Sequence, residues 1–415
     1  MFSPSRVTRK CPVCSSTDSV TGLKLSESPL EDSLQASQAT AAQLTRYPME
    51  LMRCLRCNHL YLSDAVEPDL SYANYFFSSS RSPGLQETMG RIADILLSIC
   101  ELKAGDSVLD IGSNDGSLLK IFCSRGYSVL GIEPSQLQSE KANADGIPTI
   151  NAYFSAEKIT QYRPEFSPKL ITIHNVLANL ENFQEFLDGV CAIMDEDAFL
   201  SIVTGYHPDQ FQASMFDWIY HEHLSYFSGA DFEKLLDSKG LVVRLATRLA
   251  YKGGSLHLIV QKVTGPEDRH SSSFAALVAW ERWSKVAEGG VLTILEHKIR
   301  MSREKLRDLR PTLGSSKLVG FGCSHSTTTL AINMGLEKEL AWLVDDNPDR
   351  HGLFSPIGGL EIRPPDSVLE VGAIPVILAW QHDWRIIERL RTLGFRGNIL
   401  RVMPEVVLAP IEELT

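Results

Sequence analysis

Short apolar runs alternate with amphipathic stretches over most of the chain. Beyond Pro83, apolar residues recur at the three- and four-residue spacing of a helix: Leu85, Met89, Ile92, Leu96 and Ile99. A strand pattern follows in SVLDI, then a glycine-rich turn and another helical stretch, and further strand patterns come in SVLGIE, LITIH and AFLSIV. Strands that alternate with helices predict a parallel sheet covered on both faces, with ligands at the carboxyl ends of its strands.

The strand–turn–helix pattern returns near the C-terminus, in KLVGFG, LAWLVDD and IPVILAW. Between the two regions the chain is helical and charged, and a solvated face is the simplest account of these charges. A length of 415 residues is too great for one compact core. We therefore predict an α/β protein of four parts: a small N-terminal module (1–82), a Rossmann-like domain (83–265), a helical connector (266–316) and a second Rossmann-like domain (317–415).

Composition narrows the classes of partner. Hydrophobic residues make up 44% of the chain and charged residues 22%, as in globular proteins. The net charge of −11 argues against a nucleic-acid-binding surface, although one basic pocket for a phosphorylated ligand is compatible with it. No apolar run approaches the roughly 18 residues of a membrane span, and the basic N-terminus lacks the apolar core of a signal peptide. We expect a cytoplasmic protein with a small-molecule substrate and with neither a nucleic-acid nor a membrane partner.

Four of the eight cysteines form two C-x-x-C pairs, Cys11/Cys14 in CPVC and Cys54/Cys57 in CLRC. Two residues between cysteines let both thiolates bind one ion, and two such pairs complete a tetrahedral zinc site. Because all four ligands are thiolates, no coordination position is open for a reaction, so we expect a structural zinc. A redox-active pair is the alternative interpretation.

The first glycine-rich turn reads Asp110-Ile111-Gly112-Ser113-Asn114-Asp115-Gly116, and Glu133 ends the next strand. The glycines allow a ligand to approach the backbone, and a carboxylate at Glu133 is placed to bind two ribose hydroxyls. The turn lacks both G-x-G-x-x-G and the lysine of a phosphate loop. It resembles S-adenosylmethionine-dependent methyltransferases, whose cofactor has no pyrophosphate. A dinucleotide-binding turn and a simple tight turn are the alternatives.

The order of several motifs resembles one family over essentially the whole chain. CPVC, CLRC, LDIGSNDGSLL, GIEPS, NVLAN, IYHEHLSYFS, GGSLHLIV, GFGCS and VDDNP occur in the order found in the sugar C-methyltransferases. Those enzymes methylate C-3 or C-5 of nucleotide-linked keto-deoxyhexoses. The resemblance implies a zinc-binding N-terminal domain, a methyltransferase domain and a Rossmann-like C-terminal domain that helps to hold the nucleotide.

The resemblance also implies roles for individual residues. Those that would line the S-adenosylmethionine pocket are Asp110, Gly112, Ser113, Asn114, Gly116, Glu133, Phe154 and Asn175. Those that would contact the substrate are Tyr75, Lys252, Gly254 and His257.

The segment FDWIYHEHLSYFS, residues 216–228, carries the expected chemistry. By resemblance His223 is the general base, with Tyr220, Glu222 and Asn179 around the developing enolate. Carbon becomes nucleophilic only after a proton α to a ketone is removed, and histidine titrates near neutral pH. A carboxylate can orient the imidazole, while a phenol or an amide can steady the enolate oxygen. The spacing does not match the H-E-x-x-H zinc motif, so a structural histidine is the main alternative.

Three features depart from the family pattern. Asn179 stands where the family has a histidine, and Lys252 begins a K-G-G-S-L-H segment where the family has H-G-G-S-L-R. The family has a Y-x-Y-x-S-S segment, in which Tyr75 keeps the first tyrosine and Phe77 replaces the second. A lysine at position 252 suggests a phosphate contact. Together these departures bear on which sugar is the acceptor more than on whether the protein transfers a methyl group.

Other functions stay open at this point. The same scaffold could methylate a different acceptor at carbon or oxygen, or could bind its cofactor around a decayed catalytic centre. An NAD-dependent oxidoreductase is a third option, because Asp345 ends the second strand of the C-terminal unit as a ribose-binding acid would. However, Gly320-x-Gly322-x-x-His325 lacks the third glycine of that motif. We expect instead that a nucleotide sugar binds between the two sheets.

Overall fold

The computed structural model describes residues 9–31, 33–66, 78–81, 83–286 and 289–414. The predicted substrate contact at Tyr75 lies outside these ranges. Among the helices within them, none is both long and apolar enough to cross a membrane.

The strands of the described residues form three sheets and mostly coincide with the apolar runs of the sequence. In chain order they are β1 (Ser19–Ser28), β2 (Tyr47–Cys54), β3 (Leu60–Leu62), β4 (Ser107–Ile111), β5 (Ser128–Glu133), β6 (Thr149–Asn151), β7 (Leu170–His174), β8 (Phe199–Gly205), β9 (Ser225–Tyr226), β10 (Leu241–Leu249), β11 (Ser255–Lys262), β12 (Lys317–Phe321), β13 (Leu340–Val344), β14 (Ile362–Arg363), β15 (Ala373–Ile377), β16 (Asn398–Arg401) and β17 (Val407–Pro410).

Helices separate most of the parallel strands. In chain order they are α1 (Gln38–Ala41), α2 (Pro83–Ile99), α3 (Ser117–Ser124), α4 (Gln136–Ala144), α5 (Ala156–Tyr162), α6 (Phe183–Ile193), α7 (His207–Gln212), α8 (Gly229–Asp237), α9 (Ser272–Ser284), α10 (Gly290–Leu309), α11 (His325–Asn333) and α12 (Asp383–Thr392). Short 3-10 turns include Leu177–Asn179, Phe216–Trp218, Tyr251–Gly253 and Trp380–His382.

The central sheet has the strand order β10-β11-β8-β7-β4-β5-β6. Strands β4 to β8 are parallel, as the sequence predicts, whereas β11 runs antiparallel to both β8 and β10. The reversal follows from the connection: the five residues between β10 and β11 are too few for a crossover to a parallel strand. Both faces are covered, since Val108 packs with Ile92 of α2 and its neighbour Leu109 packs in a second cluster with Phe183 of α6.

The N-terminal sheet has the order β1-β2-β3-β9 and brings the four predicted zinc ligands together. The Sγ atoms of Cys11 and Cys57 are 3.5 Å apart, as are those of Cys14 and Cys54, and all four lie within 4.8 Å of one another. Zinc–sulfur bonds of about 2.3 Å give a tetrahedron with edges of roughly 3.8 Å, so the cluster fits a four-thiolate zinc ion.

The fourth strand of this sheet comes from a distant part of the chain. In β9, Tyr226 pairs with Leu60 and Ser225 pairs with Tyr61, in antiparallel register. The Leu62 amide also donates to the Leu224 carbonyl oxygen at 3.1 Å. The segment that follows the predicted base is therefore hydrogen-bonded into the zinc-binding module.

The C-terminal sheet has the order β14-β13-β12-β15-β16-β17 and is parallel except for β17. It confirms the second Rossmann-like unit that the sequence predicts. The predicted connector consists of two helices. The first, α9, binds the central domain through Glu281, which accepts the Tyr206 hydroxyl at 2.7 Å. The second, α10, packs against β1 and α7.

One hydrophobic cluster joins the N-terminal sheet and the C-terminal unit through α10 and a segment of the central domain outside its sheet. Its members come from the N-terminal strands, from the segment 211–226, from α10 and from the C-terminal unit, and they include Leu23, Leu51, Leu60, Phe216, Ile219, Leu224, Leu292, Leu295, Leu330 and Leu336. Contacts of this kind make the three parts one packed body.

We predict that Cys54→Ser abolishes zinc binding and lowers the unfolding temperature by several degrees, because the thiolate cluster holds the ends of β2 and β3. Metal content by atomic absorption and thermal unfolding by circular dichroism measure both effects. Cys123→Ser is the matched control, since Cys123 is an exposed cysteine of α3 outside the cluster. A wild-type chain that purifies without zinc, or a Cys54→Ser variant that melts like wild type, would contradict this prediction.

Candidate functional site

The glycine-rich turn after β4 lies against the turn after β7. Gly112 has a φ of +74°, and a Cβ added there would lie 2.4 Å from Val176 Cγ2. On the other side, a Cβ on Gly131 of β5 would lie 2.4 Å from Ser113 Oγ. That hydroxyl is buried without a hydrogen-bond partner among the described residues. An unpartnered buried polar atom in a glycine-rich turn is a feature of a ligand site.

Two acidic residues stand side by side at this edge. Asp110 is buried and accepts a hydrogen bond from the Thr172 hydroxyl at 2.6 Å. Burial raises the pKa of Asp110 to about 7, against the effect of Thr172, and the Glu133 carboxylate adds to the rise. Burial also raises the pKa of Glu133, although the backbone amides of Ser135 and Asn114 donate to it at 2.8 and 2.9 Å. A positively charged ligand would stabilise both carboxylates.

A third acid, Asp115, has a structural part in the turn. Its carboxylate accepts the hydroxyls of Ser78 at 2.5 Å and Ser117 at 2.6 Å, and Lys141 Nζ lies 3.1 Å away. Burial acts to raise the pKa of Asp115, but these hydrogen bonds hold it below its usual range. The Ser79 amide donates to Asn114 Oδ1 at 2.9 Å. The serines of SSSR thus tie the chain before α2 to the glycine-rich turn.

The remaining predicted cofactor residues have different surroundings. Gly116, with a φ of +72°, directly precedes α3. Asn175, with a φ of 59°, follows β7, and its amide donates to the Val203 carbonyl oxygen at 2.7 Å, so it lies in the turn next to Gly112. Phe154 instead packs on α6, with its ring centroid 5.1 Å from that of Phe186.

The predicted base lies in an aromatic setting and has two hydrogen-bond partners. His223 Nδ1 is 3.2 Å from the Trp218 carbonyl oxygen, and Nε2 is 2.8 Å from the Tyr220 hydroxyl. A carbonyl oxygen only accepts, so Nδ1 carries the proton and Nε2 is the acceptor of the Tyr220 hydroxyl. Burial, together with the nearby charge of Lys252, lowers the pKa of His223 to about 3.

The prediction that Glu222 orients the His223 imidazole needs correction. Glu222 Oε1 lies 3.2 Å from Nε2 of His325, at the start of α11. The Trp218 carbonyl takes the orienting position instead, because the turn 216–218 brings it to Nδ1. His325 also lies near the phenol of Tyr220, with ring centroids 5.9 Å apart. The C-terminal unit therefore contributes a side chain to the site.

His221 is a structural residue. Its Nδ1 lies 2.8 Å from Glu31 Oε1 of the N-terminal module, and both side chains are buried. Burial acts to lower the pKa of His221, but the Glu31 carboxylate raises it above the ordinary value. Thr328 of α11 donates to the Glu31 carbonyl oxygen at 3.3 Å. This ion pair thus joins parts of all three sheet-containing units.

Lys252 lies near His223, the predicted base, and the two share Trp218 as a neighbour. Its Nζ lies 5.8 Å from the centroid of the Trp218 ring, which also stacks with His223 at 6.0 Å. Burial lowers the pKa of Lys252 to about 8, while the Glu222 carboxylate opposes this shift. Gly254, a predicted substrate contact, packs closely on Asp209, since a Cβ there would lie 2.5 Å from Asp209 Cβ.

The predicted substrate contact at His257 also needs correction. His257 is fully buried in β11, where Nε2 lies 3.0 Å from Ser201 Oγ, and burial lowers its pKa to about 4. Ser201 in turn bonds His174 at 2.9 Å. Asn179 ends the turn 177–179, which lies beside β8 and β9, near the strand that follows the base.

Sequence reasoning missed several residues of the site: His325, Trp218, Asp115, Ser78 and Glu31. Asp115 lies in the glycine-rich turn and Trp218 in the segment 216–228. The charge of the first and the ring of the second were the available signals. No local pattern connects His325 or Glu31 with residues more than a hundred positions away.

Three family profiles match consecutive parts of the chain. They are described as "Putative zinc binding domain" for residues 11–72, "Methyltransferase domain" for 85–246 and "C-methyltransferase C-terminal domain" for 250–404. Among curated proteins, C-methyltransferase NovU of Streptomyces niveus is 26% identical over 404 residues, which cover 95% of this chain and 96% of that protein.

Solved methyltransferase structures resemble less than half of the chain. Magnesium protoporphyrin IX methyltransferase of Synechocystis PCC 6803, with bound SAH, is 16% identical, with coverage of 43% of this chain and 83% of that one and a TM-score of 0.35. An SAM-dependent methyltransferase of Archaeoglobus fulgidus is 13% identical, with coverage of 43% and 94% and a TM-score of 0.35. Scores this low carry no argument about the site.

The three profiles, in this order, fall on the thiolate cluster, on the central sheet with its glycine-rich turn and on the second parallel sheet. The chain belongs to the S-adenosylmethionine-dependent C-methyltransferases that combine a zinc-binding domain, a methyltransferase domain and a C-methyltransferase C-terminal domain.

Proposed function

We propose that this C-methyltransferase methylates a carbon next to the ketone of a nucleotide-linked keto-deoxysugar, with His223 as the general base. The observation that carries the proposal is the pair of hydrogen bonds on His223. Because the Trp218 carbonyl fixes the proton on Nδ1, the lone pair of Nε2 faces the Tyr220 hydroxyl. A proton acceptor is thus preformed at the site.

The lowered pKa of His223 keeps the imidazole unprotonated, and it also makes His223 a weaker base than an ordinary histidine. With a pKa of about 3, the imidazole is neutral throughout the physiological pH range and accepts a proton without first losing one. Its protonated form is costly in this setting until a negative charge develops nearby. Proton transfer is therefore coupled to enolate formation.

Tyr220 takes part in the same step. Its hydroxyl occupies Nε2 in the structure, so it must release that nitrogen before a substrate C–H bond can reach it. Once released, the hydroxyl is a hydrogen-bond donor close to the reacting atoms. We assign Asn179 a supporting part, as an amide that donates a hydrogen bond but does not exchange protons near neutral pH.

We assign the cofactor to the edge formed by the glycine-rich turn. Asp110, Gly112, Ser113, Asn114, Gly116, Glu133 and Asn175 would hold it. Two carboxylates with raised pKa and an unpartnered buried hydroxyl fit a cationic ligand with ribose hydroxyls. When bound, S-adenosylmethionine supplies the methyl group, as the new carbon–carbon bond forms and the carbon–sulfur bond breaks.

The assignment of the acceptor as a nucleotide sugar rests on the resemblance of the sequence motifs and on the position of α11. This helix begins at His325, which pairs with Glu222 next to the proposed base, and this contact supports a part for the C-terminal unit in binding the acceptor. The acid of that unit, Asp345, is engaged by the amides of Cys323 and Asn347, at 2.8 and 2.9 Å, and by Arg350. The two amide contacts match those of Glu133, but the pairing with Arg350 and the missing third glycine of the turn disfavour an NAD-dependent reaction on the C-terminal sheet.

We predict that His223→Asn abolishes methyl transfer and leaves cofactor binding intact. Asparagine keeps a polar side chain but cannot take a proton at neutral pH. Mass spectrometry of keto-deoxysugar nucleotides incubated with S-adenosylmethionine should show the gain of one methylene with wild type only, and calorimetry should show equal affinity for S-adenosylhomocysteine. His297→Asn is the control, since His297 lies on the exposed part of α10. Turnover retained by His223→Asn would remove His223 from the base role.

We predict that Asp110→Asn weakens the binding of S-adenosylhomocysteine by about tenfold, because an amide keeps the Thr172 hydrogen bond but not the negative charge. The Asp110 carboxyl has a raised pKa of about 7, so its charged form is lost as pH falls below that value. Wild-type affinity should therefore rise between pH 6 and 8, and that of Asp110→Asn should rise less. Asp106→Asn, at the opposite end of β4, is the control. Equal affinities and equal pH profiles in calorimetry would exclude this role.

A further inference from the structure

We propose that the Lys252 ammonium binds the ketone oxygen of the acceptor and stabilises the enolate oxygen that forms when His223 takes the neighbouring proton. This inference rests on the proposed function and replaces the phosphate contact that the sequence suggested. In this step the carbon–hydrogen bond breaks, the proton moves to Nε2 of His223, and the electron pair moves onto the ketone oxygen. The negative charge then lies next to the ammonium.

The position of Lys252 is the first argument. The Trp218 ring is a common neighbour of the base and the ammonium, since it stacks with His223 at 6.0 Å and lies 5.8 Å from Lys252 Nζ. The Tyr251 ring lies 5.4 Å from the same ammonium. Two aromatic walls hold the cation by cation–π contacts and limit its access to water. In such a setting a charge acts more strongly on a reacting oxygen than it does in bulk water.

The backbone at Lys252 is the second argument. Lys252 has a φ of 51°, in the left-handed region that is costly for a residue with a side chain. Both following glycines also have positive φ, and a Cβ on Gly253 would lie 1.9 Å from Met215 Sδ. Gln210 Nε2 donates to the Lys252 carbonyl oxygen at 3.2 Å. The packing of Gly253 on Met215 and the hydrogen bond from Gln210 hold Lys252 in this unfavourable backbone conformation. In this conformation its ammonium lies near His223.

The charges around Lys252 are the third argument. Among the described residues, Glu222 and His223 interact with the charge of Lys252, and the Trp218 and Tyr251 rings lie beside its ammonium. Tyr220 and His325 join this set through His223 and Glu222, to which they are bonded. Glu222 is the anion of this set, and it raises the pKa of Lys252 against the effect of burial. Glu222 is thus a positioning residue that favours the charged form of Lys252. Its carboxylate pairs with His325 and not with His223.

Three variants test the proposal. Lys252→Met keeps the length and the backbone cost but removes the charge, Lys252→Arg keeps the charge, and Lys239→Met removes a surface lysine that pairs with Asp188. With S-adenosylhomocysteine bound, deuterium uptake from heavy water into a keto-deoxysugar nucleotide measures enolisation alone. Methyl transfer gives kcat and KM, and calorimetry reports whether each variant folds and binds the cofactor product.

We expect Lys252→Met to lower both deuterium uptake and kcat by about 10² to 10³-fold, with KM within a few-fold of wild type and with cofactor binding unchanged. Lys239→Met should match wild type. In wild type, kcat/KM should fall as pH rises through about 8, because the ammonium loses its proton there. Lys252→Arg should recover part of kcat and should lack this fall, since arginine stays charged.

A raised KM with unchanged kcat and unchanged deuterium uptake in Lys252→Met would overturn the proposal in favour of a phosphate contact. Failure of the proposed function gives a different result. In that case the wild-type enzyme itself would neither exchange protons of keto-deoxysugar nucleotides nor methylate them, and the role of Lys252 would fall with it.

Discussion

The buried ion pair between Glu31 and His221 is the interaction on which the rest of the site depends. Two charges removed from water are costly unless they are paired and hydrogen-bonded, so the pair tolerates little displacement. Glu31 belongs to the zinc-binding module and is bonded by Thr328 of the C-terminal domain, while His221 sits between Tyr220 and Glu222. His223, the proposed base, is two residues from this pair, so we infer that the pair sets its position.

The segment 216–228 serves each domain through a different chemical contact. Asp217 accepts Trp380 Nε1 and Gln381 Nε2 of the C-terminal domain, both at 2.9 Å. Strand β9 completes the zinc-binding sheet. Between these contacts, His221 pairs with Glu31, whereas the Tyr220 hydroxyl donates a hydrogen bond to His223, the proposed base. The segment is rich in aromatic and ionisable residues because it both connects the domains and carries the proposed base.

The sequence predicted best what is encoded locally. The parallel sheet, the turn at Gly112 and the four zinc ligands follow from patterns that a few neighbouring residues fix. Interactions across domains could not be predicted in this way. The family resemblance placed Glu222 beside His223, but its partner is His325 in another domain, which no local pattern indicates. The family resemblance implied a substrate contact for His257, yet its side chain hydrogen-bonds Ser201 within the sheet.

The most direct test of this account is the turnover of Glu31→Gln, a change in the zinc-binding module outside the methyltransferase domain. If the ion pair sets the position of the base, methyl transfer should fall by about 10²-fold at a temperature where the chain stays folded, because small misplacements of a catalytic group cost that much. Affinity for S-adenosylhomocysteine should not change, and Glu27→Gln, on the exposed part of β1, should behave as wild type. Wild-type turnover by Glu31→Gln would contradict the claim that the Glu31–His221 ion pair positions His223, the proposed base.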